Sequence, residues 1–365
     1  MVHGLGIGGT ERVVCDLVRA FNDDEFKTSV CCLDELGAFG EDLISEGYDV
    51  LVLNRRPGVD LDLARRLRQT YTEQNADIIH SHQYTPYFYS ALASLFSGRK
   101  PVIFTEHGRH YPDRLRLRRA FFNQLLRPTT FAYTGVSEFT RQSLIRYERM
   151  PAGRIRTIYN GVRPNGNGPA SGKEQARSSL GLSESDLLIL SIGRMDPVKD
   201  FGTMIRAFAD ISVSFPHASL WIAGGGDETY CRNLAGLIDN LKLREKATLL
   251  GNRRDTRELL SACDLFVLPS ITEAASMTLL EAMSAGKAVI ATNTGGNPEI
   301  VAHEETGLLV DAGAPVGMAD AMKRLLADAD LRLKMGKAGY RRLEENFAMG
   351  TILQQYKELY VEAAG

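Results

Sequence analysis

The sequence predicts an α/β protein built from two doubly wound, Rossmann-like domains facing a cleft, and three observations predict it. Short apolar runs recur along the chain, each followed by a special loop and then a helical period, the pattern of βα units in a parallel sheet. The scheme starts twice, once at the Gly-rich loop of residues 4–9 and again at the run 187–192 with its loop 193–202. Between the two series lies a stretch, 163–172, rich in Gly, Pro and Asn and poor in apolar residues, which is linker composition. A length of 365 residues suits two domains. Their expected bounds are 1–162 and 163–347, with a terminal helix at about 348–365.

Composition excludes several classes. With 44% hydrophobic and 24% charged residues the chain can fill two cores. A net charge of −2 gives no nucleic-acid footprint. No apolar run approaches the roughly 20 residues that span a bilayer, and the start lacks a basic stretch followed by an apolar one, so no signal peptide is expected. Five cysteines form an odd set without metal-ligand spacing, as free thiols in a reducing cytoplasm would.

In chain order, Gly4-Leu-Gly6-Ile-Gly8-Gly9-Thr10-Glu11 opens a helix with Val13, Val14, Leu17, Val18 and Phe21 on one face and Thr10 as its expected N-cap. A Gly-rich loop opening a helix can cradle phosphate. Gly4-x-Gly6-x-x-Gly9, with Asp34 or Glu35 beyond the next strand, also fits the dinucleotide fingerprint, so an NAD-dependent oxidoreductase stays open. Only three residues precede Gly4, so the first strand is very short or the start is trimmed.

Strands are expected at 28–33, 49–54, 76–80, 101–105, 131–136 and 155–159, and helices at 39–46 and 61–74. The third of these strands ends in His80-Ser81-His82. Two histidines two apart suggest a metal only with a third ligand; the end of a strand above a ligand crevice is the other setting. The strand 101–105 runs into Glu106-His107-Gly108, which puts His107 at the crevice edge; a histidine hydrogen-bonded to its own loop is the alternative. Residues 113–128 carry Arg114, Arg116, Arg118, Arg119 and Arg127 among Leu115, Leu117, Phe121, Phe122, Leu125 and Leu126. That basic amphipathic helix is either a solvated face or, from Arg114 to Arg127, a contact for anionic lipid headgroups or a lipid-linked phosphate acceptor.

The second half repeats the scheme. After 187–192 come Gly193, Arg194 and Lys199, then a helix with Met204, Ile205, Phe208 and Ile211. The run 219–223 leads to Gly224-Gly225-Gly226-Asp227, and 248–250 to Gly251-Asn252-Arg253. The richest stretch is 266–300: a strand at 266–268, Pro269, a loop, a helix at 278–284 ended by Gly286, a strand at 288–292 and the turn Gly295-Gly296. Its carboxylates Glu273 and Glu281 stand eight positions apart. Were the segment between them mostly helical, they would lie on the order of 12 Å apart, roughly the span of a nucleotide-sugar from ribose to hexose. A helix N-terminus between them, at Ser276, Met277 and Thr278, would aim free N–H groups at a diphosphate. The structural alternative is that Thr278-Leu-Leu-Glu281 is a capping box and Glu273 a solvated carboxylate. Helices at 318–328, 331–347 and 351–363 complete the chain.

These residues resemble a known family. Pro269, Ser270, Glu273, Glu281, Ala282, Met283, Gly286, Ala291, Thr292, Gly295, Gly296 and Glu299 match the donor-site motif of the retaining glycosyltransferases of family 4, which have the GT-B fold. Thr105, His107 and Gly108 match its Thr-x-His-Gly element, and Asn160-Gly161-Val162 its hinge. Gly8 and Gly9 match the loop that faces the donor. Residues 106–109, Glu-His-Gly-Arg, resemble sugar transferases of exopolysaccharide clusters. One departure stands out: Ala274-Ala275-Ser276 occupies the place of a frequent Gly-Phe-Gly, so the sugar's identity does not carry over.

The resemblance implies retaining, metal-independent transfer from a nucleoside diphosphate sugar of UDP or GDP type to a hydroxyl of a sugar or lipid-linked acceptor. No other cofactor is implied. Glu281 would hold ribose hydroxyls and Glu273 sugar hydroxyls. Arg194 and Lys199 would grip the diphosphate, His107 would serve the transferred sugar, and Asn252 and Arg253 would read the base. The last helix would pack on the first domain. A non-catalytic two-lobed sugar or nucleotide binder, and a GT-B epimerase or phosphorylase, remain as other classes. The expected location is the cytoplasm, at the inner face of the membrane if the basic helix docks there.

Overall fold

The computed structural model describes residues 1–108, 115–165 and 172–365. They form two compact units: Met1–Asn160 together with Gly350–Gly365, and Gly161–Met349. Arg109 and Arg114, and residues 166–171 of the expected linker, lie outside the described residues.

The first unit holds β1 (Val2–Gly4), β2 (Ser29–Glu35), β3 (Asp49–Val52), β4 (Ile79–His82), β5 (Val102–Glu106), β6 (Thr130–Gly135) and β7 (Ile155–Thr157), paired in parallel as β1-β2-β3 and β4-β5-β6-β7. The Met1 amine donates to the His80 carbonyl at 2.8 Å, and the His82 N–H donates to the Met1 carbonyl at 2.9 Å, so the chain start runs beside β4. Helix Gly9–Ala20 turns Val13, Val14, Leu17 and Val18 inward, the face its apolar spacing predicts. Its N-cap is Gly8, with no side-chain cap, rather than Thr10. The third expected strand starts later and runs further, so Ser81 and His82 lie within β4 together with His80.

Helix Tyr84–Leu95 had no counterpart in the sequence reading. Helix Met349–Ala364, the last of the chain, belongs to this unit from Gly350 on and lays Tyr356 and Tyr360 against the His80 ring, at centroid distances of 5.5 and 5.6 Å.

The second unit is one six-stranded parallel sheet of β8 (Leu187–Ile192), β9 (Ala218–Ala223), β10 (Ala247–Gly251), β11 (Leu265–Leu268), β12 (Ala288–Thr292) and β13 (Gly307–Val310), in the order β10-β9-β8-β11-β12-β13. Every residue of β11 and β12 is buried. Helices cover both faces of such strands, which therefore read as unbroken apolar runs instead of alternating. Met204, Ile205, Phe208 and Ile211 of helix Phe201–Ile211 pack into a core with Ile189, Leu220 and Ile222.

Below β11 sits a buried charged hub. Asp264 receives Lys173 Nζ at 2.7 Å, Arg177 Nη1 at 3.0 Å and the Leu188 N–H at 2.9 Å. The strand order reverses between β8 and β11, and at such a switch point the loops leaving two neighbouring strands part to opposite sides and open a crevice. Among the described residues, no helix is long and apolar enough to cross a membrane.

Candidate functional site

The loops leaving β8 and β11 are laced together by their backbones. After β8, Asp196 accepts the Val198 N–H at 3.0 Å and sets the 3₁₀ turn Pro197–Lys199. The Ile271 N–H then donates to the Val198 carbonyl at 2.8 Å. On the other flank, Met195 N–H donates to the Gly225 carbonyl at 2.8 Å, and Asp227 N–H to the Met195 carbonyl at 2.9 Å. This approach demands glycine. A Cβ on Gly224, at φ +142°, would lie 1.9 Å from the Gly193 carbonyl oxygen.

Glu273 stands at the centre of this lacing. Its Oε1 accepts from Lys199 Nζ in an ion pair and from Ser270 Oγ at 2.7 Å. No described side chain donates to its Oε2, which leaves that oxygen able to accept from a ligand hydroxyl. The side chains of Glu273 and Lys199 are 11% and 20% exposed, enough for a ligand to reach while excluding bulk water from most of the pair. Arg194 projects further, 59% exposed, with Nη2 at 3.2 Å from Asp196. The main chain of Glu273 is held as well. Gly296 N–H donates to its carbonyl at 3.0 Å, an approach that works only because Gly295, at φ +57°, has no Cβ. Thr292 Oγ1 donates to the Ser270 carbonyl at 2.6 Å, and Thr294 Oγ1 to the Ile271 carbonyl at 2.9 Å.

Two expectations for this stretch need correction. The helix is Met277–Ser284 and its N-cap is Ser276, whose Oγ accepts the Leu279 N–H at 3.3 Å. Thr278 is inside the first turn, so the capping box from Thr278 to Glu281 does not form; Thr278 Oγ1 lies 3.1 Å from Ser276 Oγ instead. Residues 273–276 are loop, so the segment between Glu273 and Glu281 is only half helical and the 12 Å span does not follow. Ser276 takes the third amide of the helix, and the N–H groups of Met277 and Thr278 are the other two of its first turn. Glu281 is half-buried one turn on.

At the end of β10, Asn252 lies against Gly225, where a Cβ would be 2.5 Å from its Oδ1. The Arg253 fork closes on Asp255, with Nε at 2.8 Å from Oδ1, so this guanidinium is already committed to a carboxylate.

In the first unit, a Cβ on Gly8 would lie 2.2 Å from the Glu11 carboxylate, so the Gly8-Gly9 turn is folded under its own helix's first acid. Asp34, the acid of the dinucleotide fingerprint, is taken by Arg55 Nε at 2.7 Å and His3 Nδ1 at 2.9 Å. His107 follows β5 and its Nε2 lies 2.8 Å from Nδ1 of His82. Burial pushes the His107 imidazole down to about 3, and it holds His82 and His80 well below the ordinary histidine range, so all three are neutral near pH 7. Among the described residues no group of three His, Cys, Asp or Glu side chains is arranged to hold a metal ion.

In the basic helix, Leu117–Leu126, Arg119 turns inward over the Tyr84 ring at 4.0 Å and towards Glu148 at 3.5 Å, and is not part of the outer face. Two partners escaped the sequence reading. Ser270 carried a signal, three residues before Glu273, but only as a motif match. His82 carried a weaker one, since the register of β4 on β5 decides which of its neighbours it meets.

Comparisons with known proteins fit this geometry. Two family models match: one described as glycosyltransferase family 4 over residues 7–165, the other as glycosyl transferases group 1 over residues 172–342. The chain is 30% identical over 314 residues to N-acetyl-alpha-D-glucosaminyl L-malate synthase of Bacillus anthracis, covering 84% of this chain and 80% of that protein. It is 28% identical over 327 residues to D-inositol 3-phosphate glycosyltransferase of Corynebacterium glutamicum, covering 83% and 75%. The crystal structure of HepE from Anabaena in complex with UDP-glucose superposes with a TM-score of 0.84 at 24% identity, over 99% of this chain and 98% of that one.

Proposed function

We propose that this chain, which belongs to the family-4 glycosyltransferases of GT-B fold, moves a sugar from a nucleoside diphosphate sugar to an acceptor hydroxyl with retention of configuration. The observation that carries the reading is Glu273: a carboxylate fixed at Oε1 by Lys199 and Ser270, fixed at its carbonyl by Gly296, and open at Oε2. Such a group binds a sugar hydroxyl in a set orientation. Lys199 and Arg194 supply positive charge beside it, where a departing diphosphate gains negative charge. Fixed cations lower the barrier when they stabilise the transition state more than the bound substrate. Met277 and Thr278 N–H groups add to that at the helix start.

Glu281 is assigned to the ribose and Asn252 to the base through its main chain. Arg253, closed on Asp255, contributes backbone only. His107 serves the transferred sugar. The leaving diphosphate oxygen takes the acceptor's proton, so neither a separate base nor a metal ion is required.

The donor is of UDP type, the nucleotide bound by the similar HepE. The relatives named above differ in acceptor, so the acceptor is assigned here only as a hydroxyl of a sugar or lipid-linked molecule, in polysaccharide or glycolipid assembly. Thermal-shift titration with UDP-, GDP-, ADP- and TDP-sugars tests this, followed by transfer assays with the stabilising donor. Selective stabilisation by a UDP-sugar is expected. No stabilisation by any nucleotide-sugar overturns the reading.

The basic helix fits the inner membrane face as its working place. Leu115, Leu117, Phe121, Phe122 and Leu125 are all exposed beside exposed Arg116, Arg118 and Arg127, and no acid occurs between residues 115 and 130. Apolar side chains enter the interface while arginines meet anionic headgroups. Sedimentation with anionic vesicles at low salt, and none with neutral vesicles, is the expected result.

A further inference from the structure

We propose that His82 is a positioning residue for the transfer reaction: it shares one proton with His107 and so fixes the ring, the tautomer and the adjoining main chain of that histidine. The inference rests on the assignment of His107 to the transferred sugar.

The geometry starts with β4. A strand places residues two apart on one face, so His80 and His82 share a face, with ring centroids 4.1 Å apart. His80 is pinned at both nitrogens, Nδ1 to the Tyr360 hydroxyl at 2.7 Å and Nε2 to Thr105 Oγ1 at 2.6 Å; Thr105 is bonded in turn to Thr134 Oγ1 at 2.5 Å. That wall backs the His82 ring, which is only 3% exposed. On the register of β4 and β5, His82 pairs with Thr105, and His107 stands two residues on. The result is His82 Nδ1 facing His107 Nε2 at 2.8 Å.

Two neutral imidazole nitrogens at that distance hold a single proton between them. Two protons would collide, and none would set lone pair against lone pair. The tautomers of the two rings are therefore coupled. His107 Nδ1 is enclosed and has no hydrogen-bond partner. If the proton of the pair belonged to His82, His107 would carry its own on Nδ1, a buried N–H without an acceptor, the rarer and costlier kind of orphan. So His107 is protonated on Nε2 and donates to His82 Nδ1.

Nε2 is then spent on His82, and Nδ1 is left with a lone pair that no protein group satisfies. The His107 main chain lies at the turn where Gly108, at φ +120°, donates its N–H to the Glu106 carboxylate at 3.2 Å. Removing the ring's anchor frees that turn.

The test compares His82→Phe, which keeps a flat ring and removes the acceptor, with His82→Asn, whose side-chain oxygen can stand where Nδ1 stood. Nitrogen-15 imidazole spectra of the full chain read the shared proton without turnover. Wild type and His82→Asn should show His107 as one neutral tautomer, protonated on Nε2, and His82→Phe a mixture. With the donor identified by the titration, kcat in His82→Phe should fall about 10- to 100-fold, the usual effect of losing an orienting partner, with donor KM nearly unchanged and most of the loss restored in His82→Asn. An unchanged His107 tautomer in His82→Phe overturns the proposal. So does an equal loss of kcat in both variants when both melt as wild type. If no nucleotide-sugar is turned over at all, the transferase reading fails, while the spectra still decide the proton.

Discussion

Replacing Gly295 by alanine separates the two things this glycine does. At φ +57° a β-carbon costs about 1–2 kcal/mol by itself. The added carbon would also lie 1.8 Å from the Glu273 carbonyl oxygen, a backbone atom that has no rotamer to escape into. The Gly296 N–H bond to that carbonyl must then open, at a further cost of roughly 1 kcal/mol. The sum is about 2–3 kcal/mol, which for a unit of this size lowers the melting temperature by roughly 4–12 °C. Glu273 is displaced with its carbonyl, and a 1 Å misplacement can cost about 100-fold in rate.

Gly313→Ala is the control. Its φ of +68° imposes the same backbone strain, but an added carbon meets nothing within 4 Å. Scanning calorimetry of the full chain, paired with initial rates of transfer, should show both variants destabilised and only Gly295→Ala slow. Equal rates for the two variants, or a Gly295→Ala melt indistinguishable from wild type, would refute the assignment of this turn to Glu273.

Further outcomes can be checked alongside. Glu273→Gln keeps the shape of the side chain but removes its charge towards Lys199, and should lose at least about 100-fold in transfer with little change in melting; near-normal turnover contradicts the role. Asp264→Asn leaves Lys173 and the buried Arg177 facing an amide, and should destabilise the second unit by about 3–5 kcal/mol in a urea titration. The first unit should lose stability in acid. Its three histidines stay neutral in the fold, where burial lowers their affinity for protons, whereas the unfolded chain binds protons as the pH falls through about 6.5. Stability is therefore complete above that value and declines below it, by about 1.4 kcal/mol per histidine at pH 5.5, or about 4 kcal/mol in all. Hydrogen exchange of β4 to β6 amides measures this, and equal protection at pH 7 and pH 5.5 counts against it.

What could be read from the sequence follows from what each residue is used for. β8 and β12 were legible to the residue, because strands covered on both faces are apolar throughout and end abruptly at glycine or polar loops. The α/β scheme, and the GT-B fold it implies, hold in the structure and in its likeness to HepE. The loop that holds Glu273 after β11 was legible because Ser270 and Gly295-Gly296 accompany it at fixed offsets, and these are the residues that touch it. Helix Tyr84–Leu95 was not. Seven of its twelve residues are buried, so it has no polar face to mark a 3.6 period, and Pro86 sits in its first turn, where proline is tolerated but reads as a breaker. Thr10 was expected as a cap on residue type and Thr278 was the cap of the alternative reading, yet Gly8 and Ser276 hold those positions, each two residues earlier. Local preference cannot locate a helix start that neighbouring loops fix. The His82–His107 contact was illegible for a different reason: it depends on the pairing of two strands, and no spacing within the chain encodes register directly.

The Tyr360 hydroxyl on His80 has a consequence for how the molecule comes to exist. A ribosome delivers all of β1 to β7 first, then the entire second sheet, and only afterwards the segment that seats Tyr356 and Tyr360 on the first. Until that segment emerges, the imidazole wall stays wet on one side and His80 Nδ1 lacks its hydroxyl partner. The first unit to be synthesised is thus the last to be finished.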